Sequence, residues 1–262
     1  MKINFKWIGG ATWILQIDSI KIACDPVLCP EGCVQDYKFF KARRLNDPQY
    51  SESDFKDVDL WLLTHNHEDH LDRDGFKVID NNSTVIAHEG LKPYFEKGIY
   101  SDIRFLGWDE DSEFGIKGIN IRIKALPAIH AKKASWGGMI GNGNGYLLNI
   151  ARDGSKYCVY VTGDSVYSSN IKKHISTSNI DLIIANAGSA MVGESSLSRS
   201  IGRITNSIND IIKMNSELNP EMLIPVHWGT FSHYSEKITH QSFSKYHNIE
   251  IVDVGESISL SN

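Results

Sequence analysis

The sequence is short of cysteine, lacks any long apolar run and carries no excess of positive charge, and each shortage excludes a class of protein. Four cysteines in 262 residues cannot staple a disulfide-dense scaffold, and Cys24, Cys29 and Cys33 lack the C-x-x-C spacing of a zinc ribbon or redox pair. They read, with Cys158, as core or loop thiols. The longest apolar candidates, Leu60 to Leu63 and Leu182 to Ala185, fall far short of the ~18 residues that span a bilayer. The opening Met1-Lys2-Ile3-Asn4-Phe5-Lys6-Trp7 has no apolar h-region of a secretory signal. The expectation is a cytoplasmic protein without membrane insertion. Charge excludes a further class: 27 Lys+Arg against 32 Asp+Glu leave a formal −5. With no Lys/Arg block, the counterion release that drives nucleic-acid binding is not advertised, and such a partner is not expected. No Pro/Ser linker, repeat or low-complexity tract interrupts the chain.

What is present is a globular composition, 41% apolar, with ten histidines as the one item to follow. Imidazole is both the usual metal ligand and the usual proton carrier near neutral pH. Ile3 to Ile8, Thr12 to Ile17 and Ile20 to Cys24 are short β-branched and aromatic runs parted by Gly9-Gly10 and Asp18-Ser19, which predicts a meander. Asp25-Pro26 ends it. Residues 29 to 50 have no period and read as a long excursion near one mouth of the sheet. Leu60 to Leu63 predicts a strand buried on both faces. Helices near Arg73 to Ile79 and Gly90 to Lys97 flank a strand at Thr84 to Ala87, and strands follow at Ile103 to Leu106, Glu113 to Ile116 and Ile119 to Ala125. Gly137, Gly138, Gly141, Gly143 and Gly145 suggest a flexible loop before a hairpin of Tyr146 to Ile150 and Tyr157 to Val161 around Asp153-Gly154. Strands at Leu182 to Ala185, Met222 to Val226 and Ile249 to Val252 alternate with helices at Ile204 to Leu218 and Tyr234 to Tyr246. Strands first and helices after, twice over, favour two sheets packed face to face with helices outside.

Three histidines and an aspartate crowd the end of the strand Leu60 to Leu63, in Thr64-His65-Asn66-His67-Glu68-Asp69-His70. Burying so many polar side chains without partners is costly, and a divalent metal removes that cost. His65 and His67, two apart in an extended loop, share a face and can bite one ion. Asp69 and His70 come at the next turn, offset toward a second ion. One loop closes neither coordination sphere, so distant ligands are required. His130 after Leu126-Pro127-Ala128-Ile129, Asp164 in Thr162-Gly163-Asp164-Ser165 and His227 in Pro225-Val226-His227-Trp228-Gly229 all follow apolar strands, where loops gather into sites.

His65-x-His67-x-Asp69-His70, then His130, Gly163-Asp164-Ser165 and His227-Trp228-Gly229-Thr230-Phe231 resemble, in order and spacing, the metallo-β-lactamase superfamily. The branch containing N-acyl phosphatidylethanolamine phospholipase D and ascorbate-6-phosphate lactonase is the most similar. Trp7-Ile8-Gly9-Gly10-Ala11-Thr12 and Asp25-Pro26-Val27 are similar to that branch as well. The resemblance implies an α/β (α+β) fold, a four-layer αββα sandwich of two mixed sheets with helices outside. It implies His65, His67 and His130 on one metal, Asp69, His70 and His227 on the other, and Asp164 bridging, with Asp69 and His227 indispensable to catalysis. Because the ligands run from residue 65 to residue 227, one metal-dependent hydrolase domain over residues 1–262 is expected. Two divalent ions about 3.5–4 Å apart can hold a bridging hydroxide at neutral pH. These ligands suit Zn²⁺ first and accept Mn²⁺ or Fe²⁺ according to supply. The expected reaction is hydrolysis of a small anionic phosphoester, phosphodiester or lactone.

The remaining polar residues divide by context. Asp25 and Asp72 are candidates to orient ligand imidazoles by accepting their distal N–H, with a helix N-cap or turn as the other role. Thr64 is expected to hydrogen-bond the loop. His233, six residues past His227, is a candidate proton donor to a leaving group; the alternative is a solvent-facing place before a helix. Trp136 and the glycines of residues 136–145 suit either a lid over substrate or a plain flexible approach to the hairpin. His88, His174, His240 and His247 have no such context and read as surface residues. Two rival functions are a diiron-type redox enzyme and a non-catalytic metal-binding protein of the same fold.

Overall fold

A computed structural model describes residues 1–37, 40–96, 100–130, 141–175, 179–192 and 202–260. Its first large sheet contains β1 (Ile3–Gly9), β2 (Thr12–Ile17), β3 (Ile20–Cys24), β6 (Leu60–Leu63), β7 (Thr84–His88), β8 (Asp102–Leu106) and β15 (Ser257–Leu260), in the order β15-β1-β2-β3-β6-β7-β8. The second contains β9 (Asp111–Ile116), β10 (Ile119–Ile129), β11 (Asn142–Arg152), β12 (Ser155–Val161), β13 (Leu182–Asn186) and β14 (Met222–Val226), in the order β14-β13-β12-β11-β10-β9. A separate hairpin pairs β4 (Val34–Tyr37) with β5 (Phe40–Arg43), and α1 (Glu52–Phe55) and α4 (Ser169–Ile175) are among the short helices that lie between strands. Both large sheets are mixed, with parallel pairing from β3 through β8 and from β12 through β14.

Side-chain alternation shows how the sheets stack. Leu60 and Leu62 enter a core shared with Phe5, Trp7, Ile121, Tyr146, Leu148 and Ile184, whereas Trp61 and Leu63 face a second core under the short helices. In β13, Leu182 and Ile184 face the shared core, and Ile183 and Ala185 face the helix α5 (Ile208–Leu218) through Ile211 and Met214. Side chains of period two on a strand covered on both faces must be apolar throughout, which is why these two runs are continuous in sequence. The result is the expected αββα layering. Helix α5 is stopped at each end by local chemistry: Ser207 and Asp210 form a capping box, and Asn219 closes it at φ 46°.

Several elements differ from the sequence expectation. The helix expected over Tyr234 to Tyr246 is reduced to a 3₁₀ turn at His240–Phe243. Upstream of that turn the backbone N–H groups of Ser235 and Glu236 bond Ser189 and Gly188 instead of their own chain. Ile249 to Val252 makes a single bridge, from Ile249 to Leu223, and no strand. Helix α5 begins at Ile208 where Ile204 was expected, because Ser207 caps it there. The helices expected at 73–79 and 90–97 are single turns, α2 (Arg73–Phe76) and, after a 3₁₀ turn at Glu89–Leu91, α3 (Lys92–Phe95). Gly143 and Gly145 lie inside β11, not in a loop. A Cβ on Gly145 would press to 3.0 Å from the carbonyls of Val161 and Thr162, so close packing accounts for that glycine. Residues 131–140, and with them most of the lid candidate including Trp136, lie outside the described residues.

Four strand ends define where a site can form. β10, β12, β13 and β14 run in one direction, and their carboxyl ends lie beside the end of β6. Across the seam between the sheets, Asn144 N–H donates to Thr64 O at 2.9 Å and Tyr146 Oη donates to Leu63 O at 2.7 Å. Close backbone approach also fixes α2: a Cβ on Gly75 would collide with the Pro26 carbonyl. Replacing Gly75 by alanine should therefore destabilise the protein by about 3 kcal/mol, seen as a lower urea midpoint at unchanged slope. An unaltered midpoint would show that the Pro26 turn yields without cost.

Candidate metal centre

The loop after β6 delivers His65, His67, Asp69 and His70, while β10, β12 and β14 end in His130, Asp164 and His227. Two groups of donor atoms result: His65, His67 and His130, and Asp69, His70, Asp164 and His227, with the atoms of each within 4.8 Å of one another. All are buried except His67, which is half-buried. In the first group His65 Nε2 lies 2.9 Å from His67 Nδ1 and 3.1 Å from His130 Nε2. In the second, His70 Nε2 is 3.2 Å from Asp164 Oδ1, and His227 Nε2 is 3.6 Å from Asp69 Oδ2.

The outer nitrogens of three rings are already engaged. His130 Nδ1–H donates to Gly141 O at 2.8 Å, and His70 Nδ1–H donates to Asp25 Oδ2 at 2.7 Å. Thr64 gives its hydroxyl proton to Asp25 Oδ2 at 2.6 Å, so its oxygen accepts from His65 Nδ1–H at 3.0 Å. For His65 and His130 the bond sets the tautomer that leaves the inward Nε2 with a lone pair, whereas His70, held between Asp25 and Asp164, retains a proton on Nε2 until a metal takes its place. The lone pairs of His65 Nε2 and His130 Nε2, 3.1 Å apart, repel unless a cation lies between them. In the second group Asp69 Oδ1, His70 Nε2, Asp164 Oδ2 and His227 Nδ1 are buried atoms that hydrogen-bond nothing. Both groups thus fit a divalent ion, by converging lone pairs in one case and by orphaned donors in the other.

Electrostatics follow from burial and neighbours. Burial pushes His130 and His227 down to about 4, and holds His65 well below the usual imidazole range. Burial also works to lower His70, but the carboxylates of Asp164 and Asp25 outweigh it and hold the ring well above that range. For Asp69 burial works upward and is overcome by the hydrogen bond from His233 and by the charges of His70, His233 and His227, leaving the carboxyl well below its usual range. Asp164 is lowered in the same way by His227 and His70 against its burial.

The surroundings explain two motifs whose purpose the sequence left open. Trp7 Nε1 donates to Gly10 O at 2.9 Å, and the same carbonyl accepts from His227 N–H at 3.0 Å. The Trp7 and Trp228 rings meet at 5.0 Å. The β1–β2 turn therefore holds the His227 backbone, which sits at φ 61°, a left-handed conformation rare outside glycine. Thr12 Oγ1 donates to Asp25 O at 2.7 Å and accepts from Val27 N–H at 2.9 Å, steadying Asp25 at φ 40°.

Of the two residues expected to orient imidazoles, Asp25 lies against His70 and Thr64 as described. Asp72 departs from that expectation and takes its other role. It caps α2 by accepting from Gly75 N–H, and its second oxygen accepts from Leu28 and Cys29 N–H, so its carboxylate serves backbone. His233 is not solvent-facing: its ring is 4% exposed, with Nε2 3.5 Å from Asp69 Oδ2. His174 pairs with Asp109 at 3.0 Å and His240 with Asp253 at 3.3 Å, away from the clusters. Sequence reasoning missed Asn186, whose Nδ2 donates to Asp164 Oδ1 at 2.8 Å. Its place at the carboxyl end of a buried strand, the cue that found His130, would have flagged it. It also missed Tyr234, whose hydroxyl lies 3.2 Å from His227 Nε2.

Two outcomes follow. A metal that takes His70 Nε2 must displace the proton its neighbours retain there, so affinity should rise with pH, by roughly tenfold per unit about neutrality. Competition with a chromophoric chelator over that range measures it, and a flat profile would refute the His70 assignment. Asp25→Ala should weaken metal binding about 10- to 100-fold in the same titration, and wild-type affinity would deny Asp25 any orienting role.

The chain is similar to known proteins over most of its length. The family described as beta-lactamase superfamily domain matches residues 4–227. An N-acyl-phosphatidylethanolamine-hydrolyzing phospholipase D of Caenorhabditis elegans is 33% identical over 133 residues, 48% of this chain and 37% of the worm protein, so the chain matches well under half the length of that relative. A metal-dependent hydrolase of Flavobacterium johnsoniae is 23% identical over 99% of this chain and 100% of its own. The crystal structure of a possible metal-dependent hydrolase from Veillonella parvula superposes with a TM-score of 0.82 at 20% identity, covering 99% of this chain and 100% of that one. The family match begins in β1 and stops on His227, the last donor of the second cluster, and the chain accordingly belongs to the beta-lactamase superfamily and has the metallo-β-lactamase fold.

Proposed function

We propose that the chain binds two divalent ions, Zn²⁺ in the first instance with Mn²⁺ or Fe²⁺ as substitutes, and hydrolyses a small anionic phosphoester, phosphodiester or lactone. The observation that carries this reading is the division of seven buried or half-buried donors into two adjacent groups, each built round histidines and together containing two carboxylates. His65, His67 and His130 would hold one ion, Asp69, His70 and His227 the other, and Asp164 would serve both. When bound, such a pair supplies a water acidified to a nucleophile and positive charge for the attacked centre.

The chain's own residues do the rest. Thr64 holds His65 in the tautomer that keeps its inward nitrogen bare, and Asp25 holds the His70 ring with Nε2 turned toward Asp164. Asn186 steadies Asp164 by donating to Oδ1. His233 keeps Nδ1 free of any hydrogen bond inside the site, which suits it to pass a proton to a leaving oxygen. The acidic balance of the chain, −5 overall, leans against long polyanions and leaves the ions as the source of attraction for a small anion. The name of the worm relative, which hydrolyses a phosphatidylethanolamine, supports a phosphodiester among the candidates. No helix among the described residues is long and apolar enough to cross a membrane.

Elemental analysis of the purified protein should give close to two transition-metal ions per chain. A panel of chromogenic phosphodiesters and lactones, assayed with Zn²⁺ and Mn²⁺ separately, should identify a substrate class. Asp69→Ala and His227→Ala should each lower turnover at least ~100-fold while the circular dichroism spectrum stays native. One ion or none per chain would end the two-ion reading, and oxygen consumption by iron-loaded protein in place of hydrolysis would favour the redox alternative.

A further inference from the structure

The β4–β5 hairpin belongs to neither large sheet, yet its aromatic pair reaches the donor clusters. Tyr37 and Phe40 stack with ring centroids 4.6 Å apart and 6° between planes. Tyr37 meets His67 edge-on at 5.8 Å and His233 at 6.2 Å. Its ring therefore stands between a donor of the first group and the histidine that faces Asp69 in the second. Packing alone at such a place is met by phenylalanine, as position 40 shows with its own contact to His233 at 5.6 Å.

The hydroxyl is what distinguishes Tyr37. It donates to Gln35 Oε1 at 2.8 Å, and the Asp69 carboxylate also lies within its hydrogen-bonding range. Gln35 in turn donates through Nε2 to Glu68 O at 2.6 Å, inside the loop that carries His67 and Asp69. That bond fixes the amide so that its oxygen, and not its nitrogen, faces Tyr37. Tyr37 is half-buried, whereas Asp69, His70, Asp164 and His227 behind it are buried.

We propose that Tyr37 contacts substrate, its hydroxyl turning from Gln35 to donate a hydrogen bond to an anionic oxygen of a molecule bound against the two donor groups. This rests on the hydrolase reading above. Rotation about the phenol C–O bond moves the proton and leaves the oxygen in place, so the exchange needs no movement of the hairpin. An anionic oxygen outcompetes a neutral amide for that proton, because charge-assisted hydrogen bonds are about twice as strong as neutral ones. Gln35 is then a resting acceptor that keeps the phenol oriented until an anion arrives. A neutral ligand gains less from Tyr37 than an anion does, so the residue favours an oxyanion beside the donor groups.

The test uses the full-length zinc-loaded protein and inorganic phosphate as probe, with affinity from calorimetry and metal content from elemental analysis. Tyr37→Phe should weaken phosphate binding about 10- to 100-fold at unchanged metal content, while Gln35→Leu, which leaves the phenol free to donate, should weaken it less than about threefold. Gln35→Met makes the same comparison if the leucine variant does not fold. Equal losses in the two variants would mean that Tyr37 only anchors the hairpin, and metal loss in Tyr37→Phe would mean that it acts through Asp69; either overturns the proposal. So does wild-type affinity in Tyr37→Phe, or an absence of phosphate binding by the wild type. If phosphate binds through Tyr37 but no phosphoester or lactone is turned over, the hydrolase reading fails and the contact stands.

Discussion

Everything in this molecule answers to one electrostatic constraint: seven imidazole and carboxylate donors are gathered in the seam between two apolar sheets, where water cannot serve them. Unpartnered polar groups in such a place are costly enough to undo a marginally stable fold. The structure meets the constraint in two layers. Asp25, Thr64, Gly141 and Asn186 engage outward-facing nitrogens and oxygens, and the inward-facing ones converge in two groups that a cation would satisfy. Removing the outer layer would free the rings to turn; removing the inner one would leave like dipoles in contact.

The scaffold is arranged to hold that seam. Long parallel and antiparallel ladders set the four strand ends side by side, and the cross-sheet bonds of Asn144 and Tyr146 prevent one sheet from sliding on the other. Two residues in left-handed conformations, Asp25 and His227, sit at the most crowded corners. Each is braced by the β1–β2 region, Asp25 through Thr12 and His227 through Gly10 O. Strain of this kind persists only where the surroundings over-determine it, and here the surroundings begin at the first strand of the chain.

Much of this was legible from residues alone, for definite reasons. Buried strands such as Leu60–Leu63 and Leu182–Asn186 announce themselves because both faces must be apolar, and the donors are legible because His and Asp at strand ends have no packing role to explain them. The family resemblance supplied the pairing of distant ligands, which no local pattern encodes. What stayed illegible depends on tertiary partners. The segment from Tyr234 onward has helical spacing but gives its backbone N–H groups to Ser189 and Gly188. Gly145 looks like a loop residue until the carbonyls of Val161 and Thr162 are placed beside it. The β4–β5 hairpin has too few apolar residues on one face to betray itself, and its aromatic pair makes sense only against His67 and His233. Asp72 shows the converse limit: a carboxylate near a ligand loop can be wholly engaged by main chain.

The donors are shared unevenly across the seam, four from the loop after β6 in one sheet and three from strand ends in the other. The loop after β6 by itself completes neither donor group, since it lacks His130 of the first and Asp164 and His227 of the second. A metal held by either group would therefore be captured late in folding, once both halves have formed and docked. A partly folded chain offers only incomplete chelates, and an ion acquired afterwards would act as a clasp whose release is coupled to the parting of the sheets.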